Sequence, residues 1–247
     1  MSELRGRTVA IVQARMTSTR LPGKVLADIG GRSALALMLS RVQRARRLDA
    51  IVVATTINTT DDPIVAECDR LGVATHRGDE HDVLRRFQEA ARAYDAGTIV
   101  RLTADCPMVD PAVVDEAIEE YRHGSWDYVS NALPRTYPDG VDVEVFSRAA
   151  IEEAARNAVE PATREHVTLY INGRRPELSR GDFRIGAILF DADFGHVRWT
   201  IDWPEDLERV RRLVAKLPEN FTWLQALSVA TREPDLLGLR PTGERRS

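Results

Sequence analysis

Thr8-Val9-Ala10-Ile11-Val12 runs without interruption into Gln13-Ala14-Arg15-Met16-Thr17-Ser18-Thr19-Arg20-Leu21-Pro22-Gly23-Lys24, and this junction decides the fold. Residues 8–12 are apolar or β-branched throughout, the composition of a strand buried on both faces, as in a parallel sheet. Residues 14–24 then form a loop at its carboxyl end. Downstream, Ala34, Leu35, Met38, Leu39 and Val42 recur at helical spacing, with Arg41, Arg44 and Arg46 on the solvent side. Residues 51–55 form the next strand. Asp62-Pro63 opens a helix as N-cap and first-turn proline, with Ile64, Val65, Cys68 and Leu71 inward and Gly72 at its end. A short strand at 73–76, a helix at 82–94 and a strand at 98–103 follow. Asp110-Pro111 starts a fourth helix with Val113, Val114, Ala117, Ile118 and Tyr121 as its apolar face. This alternation predicts an α/β protein with a mainly parallel central sheet and helices on both faces.

The rhythm breaks after Trp126. Residues 127–131 and 141–146 read as strands, the second alternating as a half-exposed one, and Ser147 caps a helix at 148–157. Residues 183–190 and 197–201 read as late strands, and 204–216 and 221–231 as helices. The expected organisation is one domain over 1–232 with an inserted substrate or dimer arm at about 131–190, and a Pro-, Gly- and Arg-rich tail at 233–247 that frays.

The chain of 247 residues carries 34 Lys and Arg against 38 Asp and Glu, a net charge of −4, with 43% hydrophobic and 29% charged residues. A mildly acidic balance argues against a general nucleic-acid or anionic-membrane binder. Cys68 and Cys106 form no CxxC pair, so neither a disulfide scaffold nor a thiolate zinc site is indicated. No secretory pattern or span-length apolar segment is seen, and the expected address is the cytoplasm.

Three strand-end loops carry the chemistry. Arg15, Arg20 and Lys24 are three cations with no carboxylate between Leu4 and Ala27, interleaved with hydroxyls at Thr17, Ser18 and Thr19. Such a loop suits a polyphosphate at the edge where open α/β sheets bind ligands, although it is neither a Walker A nor a GxGxxG loop; its plainer reading is a solvated basic loop. Asp105, in Thr103-Ala104-Asp105-Cys106-Pro107, either holds a hard divalent cation or caps a turn. Asp202, in Trp199-Thr200-Ile201-Asp202-Trp203-Pro204-Glu205-Asp206, is either a second metal carboxylate or the N-cap of the helix that follows. Asp110 reads best as an N-cap and Cys106 as a buried packer. Taken together, the cations and both aspartates follow strand carboxyl ends, and a parallel sheet brings those ends to one edge.

Ile11-Val12-Gln13-Ala14-Arg15 with Ser18, Arg20, Pro22, Gly23 and Lys24 resembles the signature loop of the cytidylyltransferases that activate acidic 3-deoxy-2-keto sugars, the acylneuraminate and 3-deoxy-manno-octulosonate enzymes. Asp105-Cys106-Pro107 with Val109-Asp110-Pro111, and Asp202 with Pro204-Glu205-Asp206-Leu207, are similar to two later motifs of that family. Tyr137-Pro138-Asp139-Gly140-Val141-Asp142-Val143-Glu144 and Arg164-Glu165-His166-Val167-Thr168 point to its spore-coat polysaccharide branch. The likeness covers about 8–215, and Ala104 departs from the glycine expected before the aspartate. The resemblance implies a nucleotide-diphospho-sugar-transferase (Rossmann-like) fold, CTP as donor, an acidic sugar as acceptor, Mg²⁺ and a homodimer. It places the nucleotide on Ala14, Arg15, Ser18, Arg20, Lys24, Arg77, Gly78 and Asp105, with Arg15, Lys24 and Asp105 as catalytic residues and Asp105 and Asp202 as metal ligands. Tyr137, Asp139, Glu144 and His166 are the acceptor candidates. A satisfied helix histidine is an equal reading of His166, and a solvated strand face is the simpler one for Asp142 and Glu144.

The expected function is transfer of CMP to a hydroxyl of an acidic sugar with release of pyrophosphate, in cell-surface polysaccharide biosynthesis. One alternative is a glycosyltransferase on the same type of sheet, with Asp191-Ala192-Asp193 as its metal motif. Another is a non-catalytic nucleotide sensor.

Overall fold

The computed structural model describes residues 6–175, 177–178 and 182–239. Seven strands form one sheet: β1 (Arg7–Gln13), β2 (Ala50–Thr56), β3 (Ala74–Gly78), β4 (Ala96–Thr103), β5 (Tyr128–Ser130), β6 (Glu144–Ser147) and β7 (Ile185–Ala187), in the order β3-β2-β1-β4-β6-β5-β7. β1, β2, β3 and β4 pair in parallel, as do β5 and β7; β6 alone runs antiparallel, to both β4 and β5. The helices are α1 (Ala34–Val42), α2 (Asp62–Leu71), α3 (Val83–Ala93), α4 (Pro111–His123), α5 (Arg148–Asn157), α6 (Pro161–Glu165), α7 (Pro204–Val214) and α8 (Trp223–Arg232). None of the described helices is long and apolar enough to cross a membrane.

Alternation along β1 explains the unbroken apolar run at 8–12. Ala10 and Val12 pack with α1, α4, α7 and α8, whereas Val9 and Ile11 pack with α3 and α5 on the other face. Residues 9–12 are therefore apolar on both faces, and the polar residues of β1 fall at its ends, Arg7, Thr8 and Gln13. Asp82, Asp110 and Ser147 cap α3, α4 and α5 through side chains that accept from Arg85, Ala112 and Ala150 N–H groups.

Several expectations need correction. Asp62 is the first residue of α2, and the N-cap position belongs to Asp61. Arg41 is buried: it donates to the Val109 and Phe221 carbonyls and stacks on Phe221 at 3.7 Å. The strand expected at 141–146 begins only at Glu144, because Asn131 takes over the preceding backbone, donating to the Val141 carbonyl and accepting from the Val143 N–H. Residues 197–201 form no strand. Their backbone partners lie on different segments: Val197 and Trp199 with Asp139, Arg198 with Leu237, Ile201 with Asp105. Residues 233–239, expected to fray, are docked; Leu236 is fully buried and its carbonyl accepts from the Trp199 indole. Residues 240–247 of the expected tail lie outside the described residues.

Candidate active site

Two distant carboxylates shape the loop after β1. Asp61, fully buried, accepts from the Met16 N–H at 2.8 Å, and its other oxygen takes the Thr56 N–H and the Thr55 and Thr56 hydroxyls. Burial alone would raise its pKa, but the bonds from Thr56, Met16 and Thr55 outweigh it and hold the group below the usual carboxylate range. Glu80 accepts from the Thr17 hydroxyl at 2.7 Å and the Asn58 amide at 2.6 Å. The loop closes where the Gly23 N–H meets the Met16 carbonyl, and a φ of 74° at Gly23 turns the chain into a short 3-10 turn that starts at Lys24.

From that turn Lys24 reaches across the sheet edge. Its Nζ donates to Asp105 Oδ2 at 3.0 Å, Asp202 Oδ1 at 3.0 Å and the Ile201 carbonyl at 2.7 Å. Arg20 donates to the same Asp202 oxygen at 2.7 Å and lies 5.6 Å above the Trp203 ring. Asp202 Oδ2 accepts from Arg198 at 2.8 Å. One ammonium thus touches both aspartates, so β1, β4 and the segment before α7 converge on one small volume. Asp105 arrives because Ala104 extends the pairing with Gln13 and the chain then turns at Cys106. The N-cap reading of Asp202 does not hold: Asp206 takes the Asp202 and Trp203 N–H groups, each at 3.0 Å, leaving the Asp202 carboxylate for the cations.

The donor set fits a hard divalent ion only in part. Among the described residues no group of three or more His, Cys, Asp or Glu side chains could hold a metal. Two adjacent carboxylates suffice for Mg²⁺ when phosphate oxygens and water complete its shell.

These residues line a crevice of about 430 Å³, together with Ala14, Arg15, Ser18 and Thr19. Among the described residues the Arg15 guanidinium has no ion pair or hydrogen bond. The far wall comes from the 131–190 region. Because β6 is antiparallel, its first residue, Glu144, lies at the carboxyl edge of β4, opposite Arg101. The two form an ion pair, and Glu144 Oε1 accepts from the Tyr128 and Thr168 hydroxyls, each at 2.6 Å. Burial opposes the Arg101 charge, but Glu144 more than offsets it and raises the pKa. Asp142 pairs with Arg135. The solvated-face reading of Asp142 and Glu144 is therefore overturned: burial of both strand faces leaves these acids to meet cations inside the crevice. Asp139, 1% exposed, accepts from the Thr200 hydroxyl at 2.7 Å, with Arg198 3.7 Å away. Gly140 makes this approach possible; at φ 120°, a Cβ there would sit 2.8 Å from the Trp199 carbonyl carbon. His166 lines the same wall, its pKa lowered by burial and by Arg101, Arg175 and Arg174.

The sequence profile described as cytidylyltransferase matches residues 9–228. The chain belongs to the cytidylyltransferase family. It is similar to the spore coat polysaccharide biosynthesis protein SpsF of Bacillus subtilis, 36% identical over 234 residues that span 91% of this chain and 94% of that protein. It is also similar to the 3-deoxy-manno-octulosonate cytidylyltransferase of Anaeromyxobacter dehalogenans, 30% identical over 83% of this chain and 96% of that one. A solved cytidylyltransferase structure from Leptospira borgpetersenii superposes with a TM-score of 0.88 at 29% identity, covering 96% of this chain and 99% of that one. The sheet with one reversed strand is the nucleotide-diphospho-sugar-transferase fold.

In this cytidylyltransferase the crevice gathers Ala14, Arg15, Ser18, Arg20, Lys24, Asp105, Asp139, Glu144, His166 and Asp202 from the sequence candidates. Three others lie elsewhere. Tyr137 is buried against Phe190 and Trp223 and donates to Glu116 at 3.1 Å; burial raises its pKa. Arg77 is engaged by the Thr56 and Asn58 carbonyls and by Asp62 at 2.7 Å, and Gly78 gives room to Arg86, whose Cγ would lie 2.9 Å from a Cβ there. Neither lines the crevice. Asp191 and Asp193 are exposed and outside it, with Asp193 accepting from the Gly195 N–H. Cys106 is buried beside Thr103 and Thr200, and burial pushes its thiol up, which suits a packer and not a nucleophile.

Sequence reasoning missed Asp61, Arg101, Arg135, Thr168 and Arg198. Arg101 carried a usable signal, a charge inside an otherwise apolar strand. Arg198 carried one too, four residues before Asp202 in a segment read as a strand.

Proposed function

We propose that this cytidylyltransferase uses CTP and Mg²⁺ to transfer CMP to a hydroxyl of an acidic sugar of the nonulosonate or 3-deoxy-2-keto type, releasing pyrophosphate, in cell-surface polysaccharide biosynthesis. The observation that carries this reading is the single Lys24 ammonium shared by Asp105 and Asp202 at the mouth of the 14–24 loop. The triphosphate lies along Arg15, Ser18, Arg20 and Lys24, whose donors match its oxygens. Asp105 and Asp202 would hold Mg²⁺, which would supply neutralisation of phosphate charge. The acceptor lies against Asp139, Glu144 and His166, and Arg174 and Arg175 beside that histidine favour an anion. Its oxygen attacks the α-phosphorus; the bond from the α-phosphorus to the bridging oxygen breaks, pyrophosphate leaves with that electron pair, and the hydroxyl proton passes to solvent. The chain's part is alignment and charge neutralisation. A cytoplasmic homodimer with no nucleic-acid partner belongs to the same proposal.

The glycosyltransferase reading is disfavoured by the exposed position of Asp191 and Asp193, which do not line the crevice. Incubation of each of four NTPs and Mg²⁺ with a set of sugar acids, read as pyrophosphate, tests the proposal. CTP-dependent release with an acidic acceptor is the expected result. Turnover of a preformed nucleotide sugar without pyrophosphate supports the transferase. Tight CTP binding with no product under any acceptor supports a sensor.

A further inference from the structure

Lys24 is bound as a cation is bound. An ammonium has three N–H donors, and all three are used, on Asp105 Oδ2, Asp202 Oδ1 and the Ile201 carbonyl. These are hard oxygen donors at one point, the ligand type that also suits Mg²⁺ or Mn²⁺. The side chain is 10% exposed, so little water dilutes these contacts. Asp202 is more enclosed still, at 1% exposure, with Arg20 on one oxygen and Arg198 on the other. The carboxylates assigned to the metal are thus already neutralised by the protein's own charges. A bare divalent ion reaching them must expel an ammonium and stand among three cations. A metal arriving on a triphosphate brings net negative charge, and gives Lys24 and Arg20 phosphate oxygens in exchange for the carboxylates.

We propose that Lys24 is a metal placeholder: in the ligand-free protein it occupies the cation position between Asp105 and Asp202, and it leaves for the triphosphate only when nucleotide arrives, so that the divalent ion binds with nucleotide and not before it. This rests on the reading of Asp105 and Asp202 as the metal carboxylates. The role is separate from gripping phosphate, because it predicts that loss of Lys24 improves the binding of free metal. A residue that only grips phosphate has no such effect. Arg20 is a poorer candidate, being 45% exposed and touching only one of the two aspartates.

The test is Mn²⁺ binding measured by electron paramagnetic resonance, with and without CTP, on the wild-type chain, Lys24→Met and Asp105→Asn, each first shown to be folded by thermal unfolding. Without CTP, Lys24→Met is expected to bind Mn²⁺ at least tenfold more tightly than wild type. With CTP that advantage is expected to vanish, and Asp105→Asn to bind Mn²⁺ weakly throughout. Equal or weaker binding of free Mn²⁺ by Lys24→Met overturns the placeholder while the metal reading stands, provided Asp105→Asn still loses the CTP-dependent signal. An Asp105→Asn variant that binds Mn²⁺ like wild type in the presence of CTP overturns both. The wild-type chain gives a second readout should Lys24→Met fail to fold, the ¹⁵N–¹H signal of the Lys24 ammonium. That signal is expected to stay put on addition of Mg²⁺ alone and to shift with Mg²⁺ and CTP. A shift with Mg²⁺ alone contradicts the proposal.

Discussion

The two walls of the crevice are built on different plans. One wall rests on the parallel strands β1 and β4, whose residues 9–12 and 99–100 are buried on both faces, and its cations and Asp105 sit on the turns that leave those strands. The far wall rests on the one reversed strand, β6, and on the loops around it, and its charges pair across elements: Arg101 with Glu144, Arg135 with Asp142. On the first wall the cations bind carboxylates carried by other turns, Lys24 spanning Asp105 and Asp202 and Arg20 meeting Asp202. On the second, Glu144 and Asp142 pair with cations from neighbouring segments, and His166, Arg174 and Arg175 line the same crevice. The two walls thus meet at one crevice by different means, turns at strand ends on one side and pairing across elements on the other.

Substitutions that act on one wall and not the other sharpen this contrast. Asp105→Asn is expected to lower kcat by about a hundredfold or more, because metal-centred charge stabilisation is worth several kcal/mol; steady-state pyrophosphate release checks it, and unchanged turnover breaks the assignment of the first wall. Glu144→Gln keeps acceptors for Tyr128 and Thr168 but strips Arg101 of its counter-charge. It is expected to raise the acceptor KM by about ten- to a hundredfold, as loss of a charge-assisted bond of ~1.5–3 kcal/mol implies, with CTP affinity within about twofold by calorimetry. An equal loss for CTP would mean that the walls are not separable.

How much of this was legible follows the same division. The junction at Val12-Gln13 showed the first wall, since a doubly buried strand and its loop are consecutive in sequence and need no long-range contact to recognise. Asp105 and Asp202 could be placed at the same edge, yet each kept a local capping explanation until Lys24 was seen to touch both. The second wall was hidden because its rule is pairing across distance. Glu144 alternates with valines as a solvated strand would, and only the antiparallel register against Arg101 reveals the buried ion pair. Motif position points Tyr137 toward the site and a place after the short third strand points Arg77 there; an aromatic cluster and a pair of backbone carbonyls claim them instead.

Two smaller effects separate site from scaffold. Asp206→Asn weakens the cap on α7 and the ion pairs with Arg198 and Arg209. It is expected to cost about 1–2 kcal/mol of stability, read as a lowered denaturation midpoint, with a milder kinetic loss than Asp202→Asn. Tyr137→Phe removes one hydroxyl bond to Glu116 and is expected to cost about 1 kcal/mol with kcat and both KM values unchanged. A selective rise in the acceptor KM would return Tyr137 to the substrate wall.

The most direct measurement is a crystal structure of the chain soaked with CTP and Mn²⁺, read at the manganese anomalous edge. The expected result is one or more manganese peaks against Asp105 and Asp202, the triphosphate along residues 14–24, and Lys24 Nζ moved from the two carboxylates onto phosphate oxygen. A triphosphate bound elsewhere, with Lys24 still bridging both aspartates, would contradict it.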